Sequence, residues 1–311
     1  MIFMGVCVII PTLNEEENIG QLIGSVNNTS FGETEIVVVD DGSTDKTVEI
    51  AKQKGALVLV NTPGRQGPAF GWNRVAKTTK QEILCILGAD FLIEDKIFFK
   101  EAVQAFKSDK MIAAIRTSYT TKQETLIEKI VTKKTGEGFE PRFIRRDVFL
   151  ELGGFPQIGF GEDVVFVKKL EEYCQKTGKK FVLLKAVFFS GHGVQTIGAL
   201  YKQGFWYGKT SLLFLSKIKE PFLAKLKRAV FVYLRAIYLV SFIFFALSAL
   251  NIFSVFAGIP FLLVFFSKIY SAIKEANPYV FLQTLTYFVS GLGIIYGLAV
   301  YVLGVDRKAG L

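Results

Sequence analysis

Histidine and cysteine are scarce in this chain of 311 residues, which has one histidine and three cysteines. Cys7, Cys85 and Cys174 are odd in number and widely spaced, and two of them fall in runs that read as buried strands. No disulfide framework is expected, only reduced structural thiols. A basic, apolar leader is also missing: Met1 passes directly into a short strand-like run, Gly5–Ile10, that ends at Pro11, so no signal peptide is expected. The Asn-x-Ser/Thr triplets beginning at Asn27 and Asn28 would be idle on a domain facing the cytoplasm. No internal repeat or low-complexity segment is visible.

Acidic residues are sparse toward the C-terminus. Residues 215–311 hold ten Lys/Arg against three Asp/Glu, so +7 of the formal net charge of +9 lies there and +2 remains for residues 1–214. Lys217, Lys219, Lys225, Lys227 and Arg228 stand just before an apolar tract, which points to anionic lipid rather than nucleic acid as the partner. The same tail has few polar groups within its apolar runs. Arg235 alone is too little to line a path, which argues against a transporter or channel.

What is abundant is apolar surface. The chain is 50% hydrophobic and 14% aromatic, with a mean hydropathy of +0.37, too apolar for an ordinary soluble domain. Two uncharged tracts, 236–267 and 276–305, each exceed the roughly 20 residues that a helix needs to cross a bilayer. The first, extended back to Ala229 with Arg235 snorkelling to the interface, has room for a hairpin of two short spans turning near Asn251. A single span broken around Gly258 and Pro260 is the other option. Three spans place the basic cluster before Ala229 and the Lys268/Lys274 stretch both in the cytoplasm, and leave Arg307 and Lys308 outside.

The first third alternates short β-branched runs with amphipathic stretches, the pattern of βαβ units around a mostly parallel sheet. Strands are predicted at Gly5–Ile10, Glu35–Asp40, Ala56–Asn61 and Glu82–Leu87. Asn14 is placed as the cap of a helix from Glu15, and Ser43 or Thr44 as the cap of another through Asp45–Lys54. Further elements are expected at Met111–Arg116, Phe143–Arg146, Asp163–Gln175, Lys180–Leu184 and Ile197–Ser216. Open α/β sheets bind ligands outside the carboxyl ends of their strands, so that edge is where chemistry belongs.

Several polar blocks fall on that edge. Pro11-Thr12-Leu13-Asn14-Glu15 and Asp40-Asp41-Gly42-Ser43-Thr44-Asp45 each follow a buried strand, where a carboxylate can accept from a base or ribose and helix-start N–H groups can face phosphate. Adjacent Asp40 and Asp41 repel unless something binds them, although Asp41-Gly42-Ser43 also fits a plain turn. Gly88-Ala89-Asp90 ends a strand in a carboxylate. Gly153-Gly154-Phe155 is followed by Phe160-Gly161-Glu162-Asp163 and an amphipathic helix, at whose N-terminus the two acids also suit the helix dipole. His192 sits between glycines that permit close approach to a phosphate or metal.

Taken in order, these blocks resemble family 2 glycosyltransferases, whose catalytic domain has the GT-A fold, over roughly residues 5–215. The resemblance implies an α/β, Rossmann-like nucleotide-sugar-binding domain with a mostly parallel sheet over residues 1–215. A basic juxtamembrane segment at 216–228, two or three transmembrane helices within 229–305 and a short tail at 306–311 complete the expected organisation. It implies nucleotide contacts from Pro11, Thr12, Asn14, Glu15, Asp40 and Asp41. Gly88-Ala89-Asp90 is similar to the family's Asp-x-Asp metal motif with its first aspartate replaced, leaving Asp90 as the implied ligand, with His192 as a second candidate. Oxygen ligands at a departing diphosphate suit Mg2+ or Mn2+ rather than the softer metals that select thiolates.

Gly67–Asn73 resembles the family's Gly-x-x-x-Ala-Arg-Asn block with Trp72 in place of arginine, so Arg65 or Lys77 is expected to supply the missing phosphate-facing cation. Asp163 matches the family's general base and Glu162 its neighbour, for an inverting transfer in which a carboxylate removes the acceptor proton. Gln203–Lys209 departs from the Gln-x-x-Arg-Trp of processive members, with Trp206 and Tyr207 in place of Arg-Trp. That argues against a polymerising synthase and suggests aromatic packing at a membrane interface, with Lys209 near the diphosphate. The implied protein is a multi-pass cell-membrane hexosyltransferase with its catalytic domain in the cytoplasm, using a UDP- or GDP-sugar and a lipid-linked acceptor. A polyprenyl-phosphate sugar synthase and a degenerate relative that binds nucleotide or a partner without turnover are the alternatives.

Overall fold

Strict alternation of side chains across a buried strand needs apolar residues at every position, and the first strand has them. Val6, Val8 and Ile10 pack into one core while Cys7 and Ile9 pack into another on the opposite face, as a period of two requires. A computed structural model describes residues 4–61, 66–122, 124–131, 135–159, 161–218, 220–248, 259, 261–263, 265–267, 270 and 280–303. The elements are β1 (Val6–Thr12), α1 (Ile19–Thr29), β2 (Thr34–Asp40), α2 (Thr47–Gln53), β3 (Leu57–Val60), α3 (Pro68–Thr78), β4 (Ile83–Ile86), β5 (Phe91–Leu92), α4 (Phe98–Ser108) and β6 (Ile112–Lys122). They continue with α5 (Leu126–Val131), β7 (Thr135–Glu137), β8 (Phe143–Arg145), α6 (Arg146–Glu151), α7 (Glu162–Thr177), β9 (Lys180–His192), α8 (Ile197–Lys217), α9 (Phe222–Ser248) and α10 (Val280–Leu303).

The chain divides into two compact units, one of residues 1–122 and 133–192 and one of residues 123–132 and 193–310. The first unit carries the sheet, in strand order β3-β2-β1-β4-β8-β6-β9-β5 with β7 paired to β6. β3, β2, β1 and β4 are mutually parallel, β8 is antiparallel to both β4 and β6, and β9 runs parallel to β6. The sheet is therefore mixed and mostly parallel. α1 and α4 cover one face through Ile19, Leu22, Phe98 and Phe106, and α3, α6 and α7 cover the other through Val75, Phe149 and Phe166. The parallel strands fall close to the predicted ranges: the buried β-branched runs of β1, β2 and β4 leave little latitude, and β3, partly exposed at the sheet edge, pairs in register with β2.

Other expectations shift. Asn14 caps no helix: α1 begins at Ile19 after a turn in which Asn14 adopts a left-handed conformation, φ 58°, one that asparagine tolerates. Neither Ser43 nor Thr44 caps α2, which begins at Thr47. β9 runs on through Ser190 to His192, so His192 ends a strand instead of lying in a loop. The extension forms because β6 and β5 both offer edges to it.

In the second unit Gly204 and Gly208 of α8 lie directly on the backbone of α10. A Cβ at either would meet the carbonyl oxygen of Ser290 or Ile294 at 2.3 or 2.0 Å, so small residues allow the two helices to touch. Two helices, Phe222–Leu247 and Leu285–Leu303, are long and apolar enough to cross a membrane. Arg235 does not snorkel to the end of its helix, because its Nη1 donates to Ser290 Oγ of α10 at 3.0 Å. The expected turn near Asn251, the break at Gly258 and Pro260, Lys268, Lys274 and the tail residues Arg307 and Lys308 lie outside the described residues.

Candidate active site

At the carboxyl edge of the parallel strands the two polar blocks form one double loop. Thr12 stands beside Asp40 in register. The Asn14 N–H donates to Ser43 Oγ at 2.8 Å, and Asn14 Oδ1 accepts from the Thr44 N–H at 2.8 Å. The Glu15 N–H donates to Thr47 Oγ1, and Lys46 N–H donates back to the Glu16 carboxylate. Asp40 is buried and accepts from the Gly42 and Ser43 N–H groups at 3.1 Å. Asp41 accepts from the Gln66 and Gly67 N–H groups at 2.7 and 2.8 Å and from the Asn61 side chain. The adjacent aspartates thus face different amide donors, which relieves their repulsion. Pro11, half-buried, lies at the same level as Val39 on β2. Arg65 lies outside the described residues.

Asp90 follows β4 in the tight turn before β5. A Cβ at Gly88 would meet Asp90 Oδ1 at 2.7 Å and the Phe91 ring at 3.3 Å. The space of a missing first aspartate is therefore taken by Asp90 itself and by Phe91. Burial first, and then the Asp90 charge among others, raises the Glu15 carboxyl above its ordinary range, which puts these two acids within electrostatic reach. β5 pairs antiparallel with β9, Phe91 with Gly191 and Leu92 with Ser190, and a Cβ at Gly191 would lie 3.7 Å from the Asp90 carbonyl oxygen. A water-sized cavity of about 20 Å³ is lined by Asp90, Asn18, Lys122 and Gly191.

No group of three or more His, Cys, Asp or Glu side chains able to hold a metal gathers among the described residues. A hard cation that takes most of its ligands from a diphosphate and only one or two from carboxylates still fits Asp90.

A second acidic group stands at the start of α7. Gly161, in a left-handed conformation with φ 74°, turns the chain into the helix at Glu162. Glu162 is 8% exposed, and its Oε2 has no partner among the described residues. Burial, with Asp163 and Glu140 adding to it, pushes its carboxyl up to about 7. Asp163 is raised as well, by burial and then by the Glu140 charge. A carboxyl that holds a proton near neutrality, as that of Glu162 does, suits general acid–base work.

Glu140, which sequence reasoning missed, pairs with Arg142 at 2.8 Å. The buried guanidinium of Arg142 lies 4.4 Å from the Phe189 ring centroid and 4.8 Å from that of Phe91, and donates to the Ile86 carbonyl. Arg142 thus ties β4, β5, β9 and Glu140 together. These residues, with Tyr119 and Phe139, line a cavity of about 330 Å³ on the size scale of a small-ligand site. Only the Glu-Pro-Arg-Phe run before a strand could have hinted at it.

Trp72 fills the place of the family's arginine with an apolar contact, its ring 4.8 Å from that of Phe155 and its buried Nε1 without an acceptor among the described residues. Lys77 does not replace the missing cation. It is exposed in the last turn of α3, whereas Gly67, held by Asp41, begins that helix.

An open α/β sheet with an amide-rich double loop and two acidic groups at its carboxyl edge defines a nucleotide-binding transferase fold of the GT-A type. Residues 7–160, just under half of the chain, match the model of Glycosyl transferase family 2, and this domain is of that family. The match ends just before Glu162.

The 4,4'-diaponeurosporenoate glycosyltransferase of Staphylococcus haemolyticus is 32% identical over 118 residues, 38% of this chain and 29% of that protein. The enzyme of that name from Staphylococcus aureus USA300 is 24% identical over 212 residues, 64% of this chain and 54% of that protein. The matched regions span about half of these relatives or less. The fold is similar to that of a mannosyltransferase from Pyrobaculum calidifontis in complex with GDP-Man and Mn2+, with TM-score 0.56, 16% identity and coverage of 96% of this chain and 87% of that one.

Proposed function

We propose that the chain is an inverting, membrane-bound glycosyltransferase that moves a sugar from a UDP- or GDP-sugar to a lipid-borne acceptor. The observation that carries this reading is the pair of acidic groups at one edge of the sheet: the Asp90 turn beside Glu15, and Glu162 and Asp163, both raised by burial, next to Glu140. The first suits the donor diphosphate and the second the acceptor proton.

The double loop of Asn14, Glu15 and Ser43 would cradle base and ribose, with Asp40 and Asp41 holding its shape. Thr12, whose buried hydroxyl has no partner among the described residues, would take part. A divalent cation, Mg2+ or Mn2+, held by Asp90 with His192 as a second ligand, would neutralise charge on the leaving diphosphate. Asp163 takes the proton of the acceptor hydroxyl as that oxygen forms its bond to the anomeric carbon and the carbon–phosphate oxygen bond breaks from the opposite face. Glu162, whose carboxyl burial raises toward neutrality, carries less negative charge beside that step than an ordinary glutamate would. The cavity beside Phe91, Glu140 and Phe189 is the acceptor entrance.

The membrane reading draws on the two apolar helices, whose most apolar stretches are only 28% and 33% buried within the chain. Bilayer contact would cover the rest, with the basic start of α9 facing the cytoplasm. Three spans require a further one within residues 249–279, mostly outside the described region. The compound in the relatives' name, 4,4'-diaponeurosporenoate, supports an acceptor other than a growing polysaccharide. A polyprenyl-phosphate sugar synthase is the second reading, favoured by the positive juxtamembrane segment.

The test is transfer by the purified full chain in native lipid extract, across UDP- and GDP-sugars, with Mg2+, Mn2+ or chelator. Metal-dependent consumption of one donor with label entering the lipid phase is expected. A single sugar released from lipid phosphate by mild acid would favour the synthase. Absence of both binding and turnover for every donor would leave a degenerate relative.

A further inference from the structure

Two arginines of α9 have opposite surroundings. Arg228, near its start, gives Nε and Nη2 to the Glu220 carboxylate at 2.7 and 2.8 Å. Arg235, near the middle of the helix, gives one N–H to Ser290 Oγ and lies 5.6 Å from the Tyr287 ring centroid. Among the described residues no carboxylate pairs with it. A guanidinium carries five donors, so most of its hydrogen-bonding capacity remains. Ser290 is fully buried, and a Cβ on Gly291 would meet the Arg235 carbonyl at 2.6 Å. The two helices therefore touch at this level and hold the charge between them.

An uncompensated cation inside a span is costly and marks a site for an anion. Resting on the membrane reading above, we propose that Arg235 and Ser290 bind the anionic head of an amphiphile, a phosphate or carboxylate on an apolar tail. The planar guanidinium fork matches either head. The tail has a surface to lie on, because Phe231 is 82% exposed and Val240 and Phe242 are also exposed on the same helix. Lys225 and Lys227 at the start of α9 add attraction for an anion arriving along the membrane surface.

The experiment uses the full chain in neutral maltoside micelles, with native mass spectrometry to titrate dodecyl phosphate and dodecanoate against dodecanol and inorganic phosphate. Tight binding of one or both anionic amphiphiles is expected, with neither the alcohol nor free phosphate competing. Arg235→Gln should weaken it on the order of tenfold or more, and Ser290→Ala and Arg235→Lys by less. Equal affinity in Arg235→Gln, or full competition by dodecanol, overturns the proposal, and competition by inorganic phosphate alone reassigns the site to a free anion. Should Arg235→Gln not fold, wild-type competition and Arg235→Lys decide. Carbonate-resistant sedimentation with membranes is measured alongside. Failure to sediment with anion binding intact sinks only the membrane reading, and sedimentation without anion preference sinks only the Arg235 site.

Discussion

The Asn73 side chain and the Phe155 backbone, 82 residues apart, exchange two hydrogen bonds: Asn73 Nδ2 donates to the Phe155 carbonyl at 2.7 Å, and the Phe155 N–H donates to Asn73 Oδ1 at 2.9 Å. This clamp fixes the Gly153-Gly154-Phe155 turn against α3. Gly154, in a left-handed conformation with φ 69°, brings its Cα so near that a Cβ would meet Asn73 Oδ1 at 2.2 Å. The chain that follows leads to Glu162.

Asn73→Ala should therefore cost about 2–4 kcal/mol, two hydrogen bonds plus the Phe155 amide groups left without partners. Urea unfolding followed by circular dichroism measures it. A cost under about 0.5 kcal/mol, the range of an ordinary surface change, would show that the turn holds without the clamp.

Glu162→Gln should change stability in a pH-dependent way. The folded carboxyl lies near 7 against an ordinary 4.5, so the folded state binds the extra proton. Stability associated with this group is present below about 4.5 and lost as pH rises to about 7. The glutamine variant should match wild type near pH 4.5 and be more stable at pH 8, by up to about 3 kcal/mol. A constant difference across that range would place the cause elsewhere.

Asp163→Asn should keep donor binding and lose transfer to a hydroxyl acceptor by roughly 10²- to 10⁴-fold. Donor binding by calorimetry and transfer by radiolabel are measured on the same preparation. Full activity would remove Asp163 from the mechanism.

Gly208→Leu and Gly204→Leu should each destabilise the helical unit, by about 1–3 kcal/mol or more, because the added atoms meet the α10 backbone. Gly198→Ala is the control: the nearest atom to its Cβ is Thr196 Oγ1 at 4.0 Å, so it should be neutral or slightly stabilising. Equal melting temperatures for all three would mean that α8 and α10 do not pack as described.

The sequence by itself determined the parallel strands and the acids at their ends. Full burial of β1, β2 and β4 demands uninterrupted apolar runs, and polar residues can appear only where a strand leaves the core, at Thr12, Asp40 and Asp90. It also placed Glu162 and Asp163 at a helix start, since a glycine and a following amphipathic period are local signals. Only the tertiary structure decided what those residues face. Asp41 meets the Gln66 and Gly67 amides, Asn73 meets Phe155, and Arg142 lies between Phe91 and Phe189. Each pairing joins segments far apart in the chain, and nothing in a local period specifies it. The length of β9 was hidden for the same reason, because it depends on the edges that β6 and β5 present. Arg235 is the sharpest case: from composition it is a charge near the end of a span, and its inward position follows only from where Ser290 stands on another helix.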